Sequence, residues 1–445
     1  MRVEPREEPM ASHPPQLSGH QYLRLVALGA LIGIPAALLA SVFLAFVHDL
    51  EHWLWTDLPD AIGVSSPPWY LVIGLPVVGA FVVVLARRFL PGDGGHSPLD
   101  GIGGGFVPVV NGPGIAVAAI GTLSFGAVLG PEAPLIAIGA IAGVAVTSFV
   151  KLGEKERAVV ATAGSFSAIS ALFGGPIVGG MLMVEGGLEM GALLLPVLLP
   201  GFVAAAVGYV IFIGFGHWGA LSTQSLTVPN LPEYSGLHEL DLVTGILVGF
   251  TSALAIVAVR KLATAVAGRE KVHVSMPVLL ISGGLAVGLL AQTADWLGAD
   301  SQEVLFSGQA SIPQVVATSS TKILLVLLLA KAIAYAISLG CGFRGGPVFP
   351  AIFIGIAIAM FFEIWFSVSP TLAVAVGAAG GMAATTRLLI TPALFASLLV
   401  GQAGLDAVPA AVLAAAAAWL TVTALDQKAK GAPTLGGPQP EPSGA

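Results

Sequence analysis

The chain has 445 residues, of which 56% are hydrophobic and only 10% charged, and its formal net charge is −7. A soluble domain carries about 25% charged residues, so this composition cannot coat a water-soluble globule, and it is too apolar for a disordered chain. It predicts a polytopic membrane protein, and the absence of a basic stripe argues against nucleic acid as a partner.

Residues 1–22 are polar and contain Pro5, Pro9, Pro14 and Pro15. They lack the short apolar core of a signal peptide and predict a polar cytoplasmic tail. Apolar runs follow near 23–47, 69–86, 113–150, 158–183, 191–214, 240–259, 275–294, 321–341, 351–368, 371–400 and 407–425. A spanning helix needs about 20 residues, and several runs are longer than one span or are broken by Gly and Pro. Partial and re-entrant helices are therefore expected beside plain spans. From Asp426 the chain turns to Gly, Pro and Lys, which predicts a disordered tail over 426–445.

Basic residues set the expected orientation. Arg2, Arg6 and Arg24 precede or open the first run, Arg87 and Arg88 close the second, and Lys151, Lys155 and Arg157 form a basic loop. Arg260, Lys261, Arg269 and Lys271 form another, and Lys428 and Lys430 lie near the end. The alternate loops 48–68, 216–240 and 291–318 contain no Lys or Arg. Both termini are expected in the cytoplasm of a cell-membrane protein.

An internal repeat organises the chain. Residues 130–139 read GPEAPLIAIG and residues 346–355 read GPVFPAIFIG, an offset of 216. The offset recurs in Gly164 with Gly380, Ala168 with Ala384, Leu172 with Leu388 and Pro176 with Pro392. Two membrane halves, 23–215 and 238–425, are expected, inverted across the bilayer with a substrate site where they meet.

Proline is tolerated in the first turn of a helix, so each copy reads as a loop entering a helix inside the membrane. A helix N-terminus offers unpaired N–H groups and about half a positive charge. Two such ends would hold an anion without a full cation, weakly enough to let it pass. Glu132 lies within the first copy. A carboxylate in a transmembrane segment costs about 2.5–3.5 kcal/mol on insertion scales, so it marks function by default. It would compete with a mobile anion for one positive pocket; a plain N-terminal cap is the alternative.

These residues carry a resemblance to the CLC chloride channel and anion/proton exchanger superfamily. Gly130-Pro131-Glu132-Ala133-Pro134 resembles that family's G-[KR]-E-G-P, Gly346-Pro347-Val348-Phe349-Pro350 resembles its G-x-F-x-P, and the stretch Ala161–Glu185 resembles the helix pair after the gate. The likeness implies an all-α inverted-repeat fold, a homodimer with one pore per subunit, and Glu132 as gate. By the same likeness the anion-binding set is His96, Ser97, Gly130, Ala133, Gly345, Gly346, Val348 and Phe349. No cofactor is implied; chloride or a similar anion, membrane lipid and a second copy are the expected partners.

The chain also departs from the family. The central-site motif G-S-G-I-P is matched only by Gly95-His96-Ser97-Pro98-Leu99, leaving His96 or Ser97 in the serine's place. Pro347 has no N–H, Phe349 sits one place late, and the last tyrosine is Tyr335, so the C-terminal pore tyrosine has no counterpart. The inner acidic pair of exchangers reads Glu185-Gly186, which aligns the proton relay with glycine and leaves Glu185 as a candidate relay or a helix-end carboxylate. A channel-like pathway is expected; the alternatives are a proton-coupled exchanger and a carrier of another small anionic solute.

Other residues read as structural or open. Lys331 and Arg344 could add positive field to the pathway, or snorkel or pair with carboxylates. Arg387 reads as structural, Cys341 as a small buried residue, and Trp53, Trp55, Trp69 and Trp218 as interface anchors. No His-Glu-x-x-His, Gly-x-Ser-x-Gly or paired metal-ligand pattern occurs, so an enzyme is not expected.

Overall fold

The computed structural model describes residues 19–104, 106–147, 150, 152–188, 194–217, 226–269 and 274–430. The first half contains α1 (Gly19–His52), α2 (Leu58–Ala61), α3 (Trp69–Phe89), α4 (Gly112–Leu123), α5 (Glu132–Thr147), α6 (Glu154–Leu172), α7 (Pro176–Gly186) and α8 (Leu195–His217). The second contains α9 (Glu239–Ala267), α10 (Met276–Trp296), α11 (Ser301–Val304), α12 (Ile312–Val316), α13 (Thr321–Gly340), α14 (Val348–Phe366), α15 (Pro370–Thr386), α16 (Ile390–Val400) and α17 (Val408–Lys430). Among the described residues eight helical stretches are long and apolar enough to span a membrane. No strand occurs there beyond one isolated bridge.

The long apolar runs break where Gly and Pro interrupt them. The run 113–150 becomes α4 and α5, 158–183 becomes α6 and α7, and 371–400 becomes α15 and α16. At 1.5 Å per residue α3 rises about 31 Å and crosses a hydrocarbon core of about 30 Å. The 12-residue α4 is too short to cross, so its connection into α5 lies within the protein.

Neighbour relations repeat between the halves. In the first, α1 packs on α6 and α8, and α5 on α6; in the second, α9 packs on α15 and α17, and α14 on α15. Equivalent glycines make these contacts close. A methyl at Gly139 would overlap the carbonyl of Gly164, and one at Gly355 would overlap that of Gly377. With no hydrophobic drive between helices in lipid, such backbone-to-backbone packing supplies the cohesion. The most enclosed helices are α14 and α15, with Val348–Phe361 and Thr371–Thr385 buried without interruption.

Several boundary readings are corrected. Helix α1 starts at Gly19, inside the expected polar tail, and α17 continues to Lys430, so Asp426–Lys430 are helical rather than tail. Asp426 pairs with Arg387, and Arg387 ends α15 with φ +60, which gives it the structural role expected. Trp55 is no interface anchor: it is 2% exposed, donates from Nε1 to Ser124 O at 3.0 Å and meets Phe306 edge-on. Trp53 and Trp69 are exposed as anchors should be, while Trp218, Arg2, Arg6, Lys151 and Lys271 lie outside the described residues.

Candidate anion site where the halves meet

The two copies of the Gly-Pro motif meet. Gly130 N–H donates to Gly346 O at 2.7 Å and Gly346 N–H to Gly130 O at 2.5 Å, an antiparallel bridge between the halves. Each bridge residue stands just before a helix whose third residue is proline, Pro134 in α5 and Pro350 in α14. The missing N–H therefore falls among first-turn amides that have no intrahelical partner anyway. The result is two helix N-termini set against one another inside the protein.

Glu132, the first residue of α5, crosses to the other half. Its Oε1 accepts from Val348 N at 2.8 Å and Phe349 N at 3.1 Å, the first two amides of α14. The side chain is fully buried and Oε2 has no hydrogen-bond partner. Oε2 lies in the space that side chains at positions 130 and 346 would fill, since a Cβ at either glycine would overlap the carboxylate. A carboxyl group thus sits on the positive ends of two helix dipoles, and among the described residues no Lys or Arg forms an ion pair with it.

Glu132 also separates two cavities. Its neighbour Pro131 lines one of about 450 Å³, together with Leu129, Asp49, Glu51, Asp300 and Glu303. Its other neighbour, Ala133, lines one of about 250 Å³ with Ile136, Ala137, His96 and Gly103. The 450 Å³ cavity opens at the C-terminal end of α1. The 250 Å³ cavity adjoins the loop that follows α3, which runs back across the membrane. The cavities therefore approach Glu132 from opposite faces.

The sequence-predicted residues fall into groups. Glu132, Val348 and Phe349 form the seat itself, the latter two through their amides. The Phe349 ring points away, stacked on Phe173 at 5.6 Å and edge-on to Phe395 at 6.0 Å. Gly130 and Gly346 are not anion donors, because their N–H groups are spent on each other; they contribute room. Gly345 is held against Leu129, with no space for a side chain. Ala133 and His96 line the smaller cavity and Ser97 does not, so of the two substitutes for the family serine only His96 faces that cavity.

Glu185 lies elsewhere. Its carboxylate accepts from Leu389 N at 3.1 Å, Ile390 N at 2.9 Å, and Thr391 N at 2.6 Å. It also accepts from the Thr391 hydroxyl. It therefore caps the start of α16, joining α7 to the equivalent helix of the other half. Lys331 does not snorkel, and among the described residues it forms no ion pair with a carboxylate: it is fully buried, donating to Glu303 O at 3.0 Å and Leu305 O at 2.6 Å over the Phe353 ring.

Sequence reasoning missed Tyr335. Its hydroxyl donates to Pro347 O at 2.6 Å, pinning the residue before the two amide donors. Nothing in the sequence distinguishes it from a buried core tyrosine, because it approaches from α13 rather than from the C-terminus. The missing N–H of Pro347 costs the seat nothing, since the donors are the next two residues.

The profile of a family described as "Voltage gated chloride channel" matches residues 78–422. Relatives named ion-transport protein YfeO match as well. That of Escherichia coli O139:H28 is 30% identical over 345 residues, covering 74% of this chain and 76% of its own. That of E. coli strain SMS-3-5 is 29% identical over 343 residues, with the same coverages. Among solved structures, a slow cyanobacterial Cl−/H+ antiporter matches with a TM-score of 0.71 at 18% identity, covering 93% of this chain and 96% of its own. A CLC-type fluoride/proton antiporter matches at 0.67 and 20%, covering 91% and 96%.

Proposed function

The chain belongs to the voltage-gated chloride channel family, whose work is anion transport, and from that premise we propose that it passes chloride or a similarly small anion through a pathway gated by Glu132. The observation that carries this reading is the seat itself. Two backbone amides at a helix N-terminus hold a carboxylate that lies between cavities reaching toward opposite faces. Chloride offers the same single charge and accepts the same two N–H bonds, so anion and carboxylate exclude each other. When Glu132 is ionised and seated it plugs the pathway; when it is protonated or displaced, the seat is free.

A multi-pass membrane protein results, and the Lys/Arg pattern supports the cell membrane with both termini cytoplasmic. A second copy is the proposed partner. The exposed apolar residues Ile177, Ile390, Leu405 and Leu420, on or near α7, α16 and α17, would be covered either by it or by lipid. The chemistry needs no cofactor, and among the described residues no cluster of metal-ligating side chains occurs.

The channel-like form is favoured over exchange because the relay position carries Gly186 and the Glu185 carboxylate is already occupied as a cap. The second reading, proton-coupled exchange, draws on the acidic cavity that adjoins Pro131. Two of the solved structures with this fold are also described as antiporters. Flux from sealed liposomes with a proton indicator inside separates them. Chloride, nitrate, fluoride and lactate are offered in turn; anion movement without proton movement supports the channel. Coupled proton movement supports the exchanger, and flux of lactate alone would overturn the small-anion reading.

A further inference from the structure

The cavity beside Pro131 is lined by four carboxyl groups, those of Asp49, Glu51, Asp300 and Glu303, and among the described residues by no Lys or Arg. Their depth is graded: Asp49 and Asp300 are exposed, Glu51 and Glu303 half-buried. Around Pro131 the wall turns apolar, with Leu123, Leu129 and Leu172 buried. An acid-lined mouth suits a cation better than the anion that the seat holds.

Glu51 and Glu303 lack partners. Among the described residues neither side chain makes a hydrogen bond or an ion pair. Half-buried carboxylates left in this way are costly and call for a positive charge. Lys331 stands behind the wall and does not reach them. A Cβ at Gly308, which lines the cavity, would lie 3.0 Å from its Nζ. That ammonium is spent on the carbonyls of Glu303 and Leu305, and its charge offsets only part of the pull on an incoming cation.

The space decides which cation fits. Among the described residues no three His, Cys, Asp or Glu side chains gather closely enough to hold a metal ion; the carboxyls are spread around the wall. The volume of about 450 Å³ lies in the range of about 300–1,000 Å³ that takes a small organic molecule. Leu123, Leu129 and Leu172 would exclude water from an apolar body. Phe212 and Phe306 add aromatic surface, which attracts ammonium groups.

We propose that this cavity binds an amphiphilic organic cation, an ammonium carried on a compact apolar body, with its charge at Glu51 and Glu303 and its body against the leucines beside Pro131. An occupant there closes that end of the pathway. The binding site stands independently of the anion-pathway reading, whereas the closure rests on it.

Binding is coupled to protons. The charged or titratable groups around Glu303 are Asp300 on its own segment, His48, Asp49 and Glu51 from the end of α1, and Lys331 from α13. Burial and Asp300 raise the Glu303 carboxyl to about 7 against the pull of Lys331, so it is partly protonated at neutral pH. A cation beside it favours the ionised form and expels that proton. Affinity therefore rises with pH.

The test is titration calorimetry of the full chain in lipid nanodiscs with tetrabutylammonium as probe, empty discs being subtracted. Saturable binding of one cation per chain is expected, at least tenfold tighter than that of tetramethylammonium, which has the charge without the body. Affinity should rise severalfold from pH 6 to pH 8, with protons released to the buffer. Glu303→Gln should weaken binding severalfold and flatten the pH dependence. Glu51→Gln should also weaken it, and Leu44→Trp, which fills the cavity from its wall, should abolish it. An unchanged Tm keeps each variant informative. In liposomes, tetrabutylammonium should inhibit chloride flux in the wild type and inhibit Glu303→Gln less. No saturable binding, equal affinity for the two ammonium ions, or wild-type affinity in all three variants would overturn the site. Calcium binding that excludes tetrabutylammonium would overturn it in favour of a metal. Tight binding with undiminished flux would overturn the closure. Absence of all anion flux would overturn the pathway reading, and saturable binding in that case would still support the site.

Discussion

Replacing Glu132 with Gln probes the competition between side chain and anion. The substitution keeps the shape and an oxygen that can accept from Val348 N and Phe349 N, so the protein should fold. The charge is lost. Hydrogen bonds to charged groups contribute about 1.5–3 kcal/mol each and neutral ones about 0.5–1.5. For the two bonds at 2.8 and 3.1 Å the side chain's hold on the seat therefore weakens by about 2–3 kcal/mol in total. At 1.4 kcal/mol per decade, a competing anion gains about 30- to 150-fold in occupancy. The amide also places an N–H₂ group where Oε2 already lacks a partner, which favours departure further. Flux from chloride-loaded liposomes should rise at least several-fold, up to the limit set by the next slowest step, and its dependence on pH should flatten. Flux and pH response both equal to wild type would refute the competition.

Further outcomes follow from the same geometry. Gly346→Ala places a methyl on the seated carboxylate, so flux should rise and its pH dependence weaken, as for the displaced gate; a folded variant with wild-type flux would contradict the packing. Glu185→Gln removes the charged cap of α16 and should lower stability by about 1–2 kcal/mol, read as a fall in Tm, with the pH profile of flux unchanged; a normal Tm with an altered pH profile would restore Glu185 as a proton relay. Burial, with Asp300 nearby, raises the Glu303 carboxyl to about 7 against the opposing pull of Lys331. Glu303 therefore gains negative charge as pH rises through 7, and half-saturating chloride from the acid-lined face should increase between pH 6 and 8; Glu303→Gln should abolish that part of the dependence, and an unchanged slope in the variant would count against it.

Composition and periodicity were enough to read the membrane class, the broken helices and the two halves, because lipid demands long apolar helices and tolerates interruptions only within the protein. The offset of 216 between Gly130 and Gly346 anticipated a direct contact between the halves, the bridge that those glycines form. Two residues that sequence marked as anion ligands turned out to pair with each other, since a motif does not show where its N–H groups are spent. The roles of Tyr335, Trp55 and Glu185 depend on partners 12, 69 and more than 200 positions away, which no local pattern encodes. The pairing of Arg87 and Arg344 with Asp93 was invisible for the same reason: Arg87 and Arg344 appeared as a helix end and a motif flank, and only folding brings both to one carboxylate. His96 and Ser97 were equivalent in sequence, and the turn of the glycine loop brings His96 rather than Ser97 to the smaller cavity.

Anomalous diffraction from bromide-soaked crystals of wild type and Glu132→Gln tests most directly whether side chain and anion share one seat. The account predicts a bromide peak within hydrogen-bond reach of Val348 N and Phe349 N in the variant, and none there while Glu132 occupies the site. Bromide bound away from these amides in the variant, or bound to them beside a seated Glu132, would contradict it.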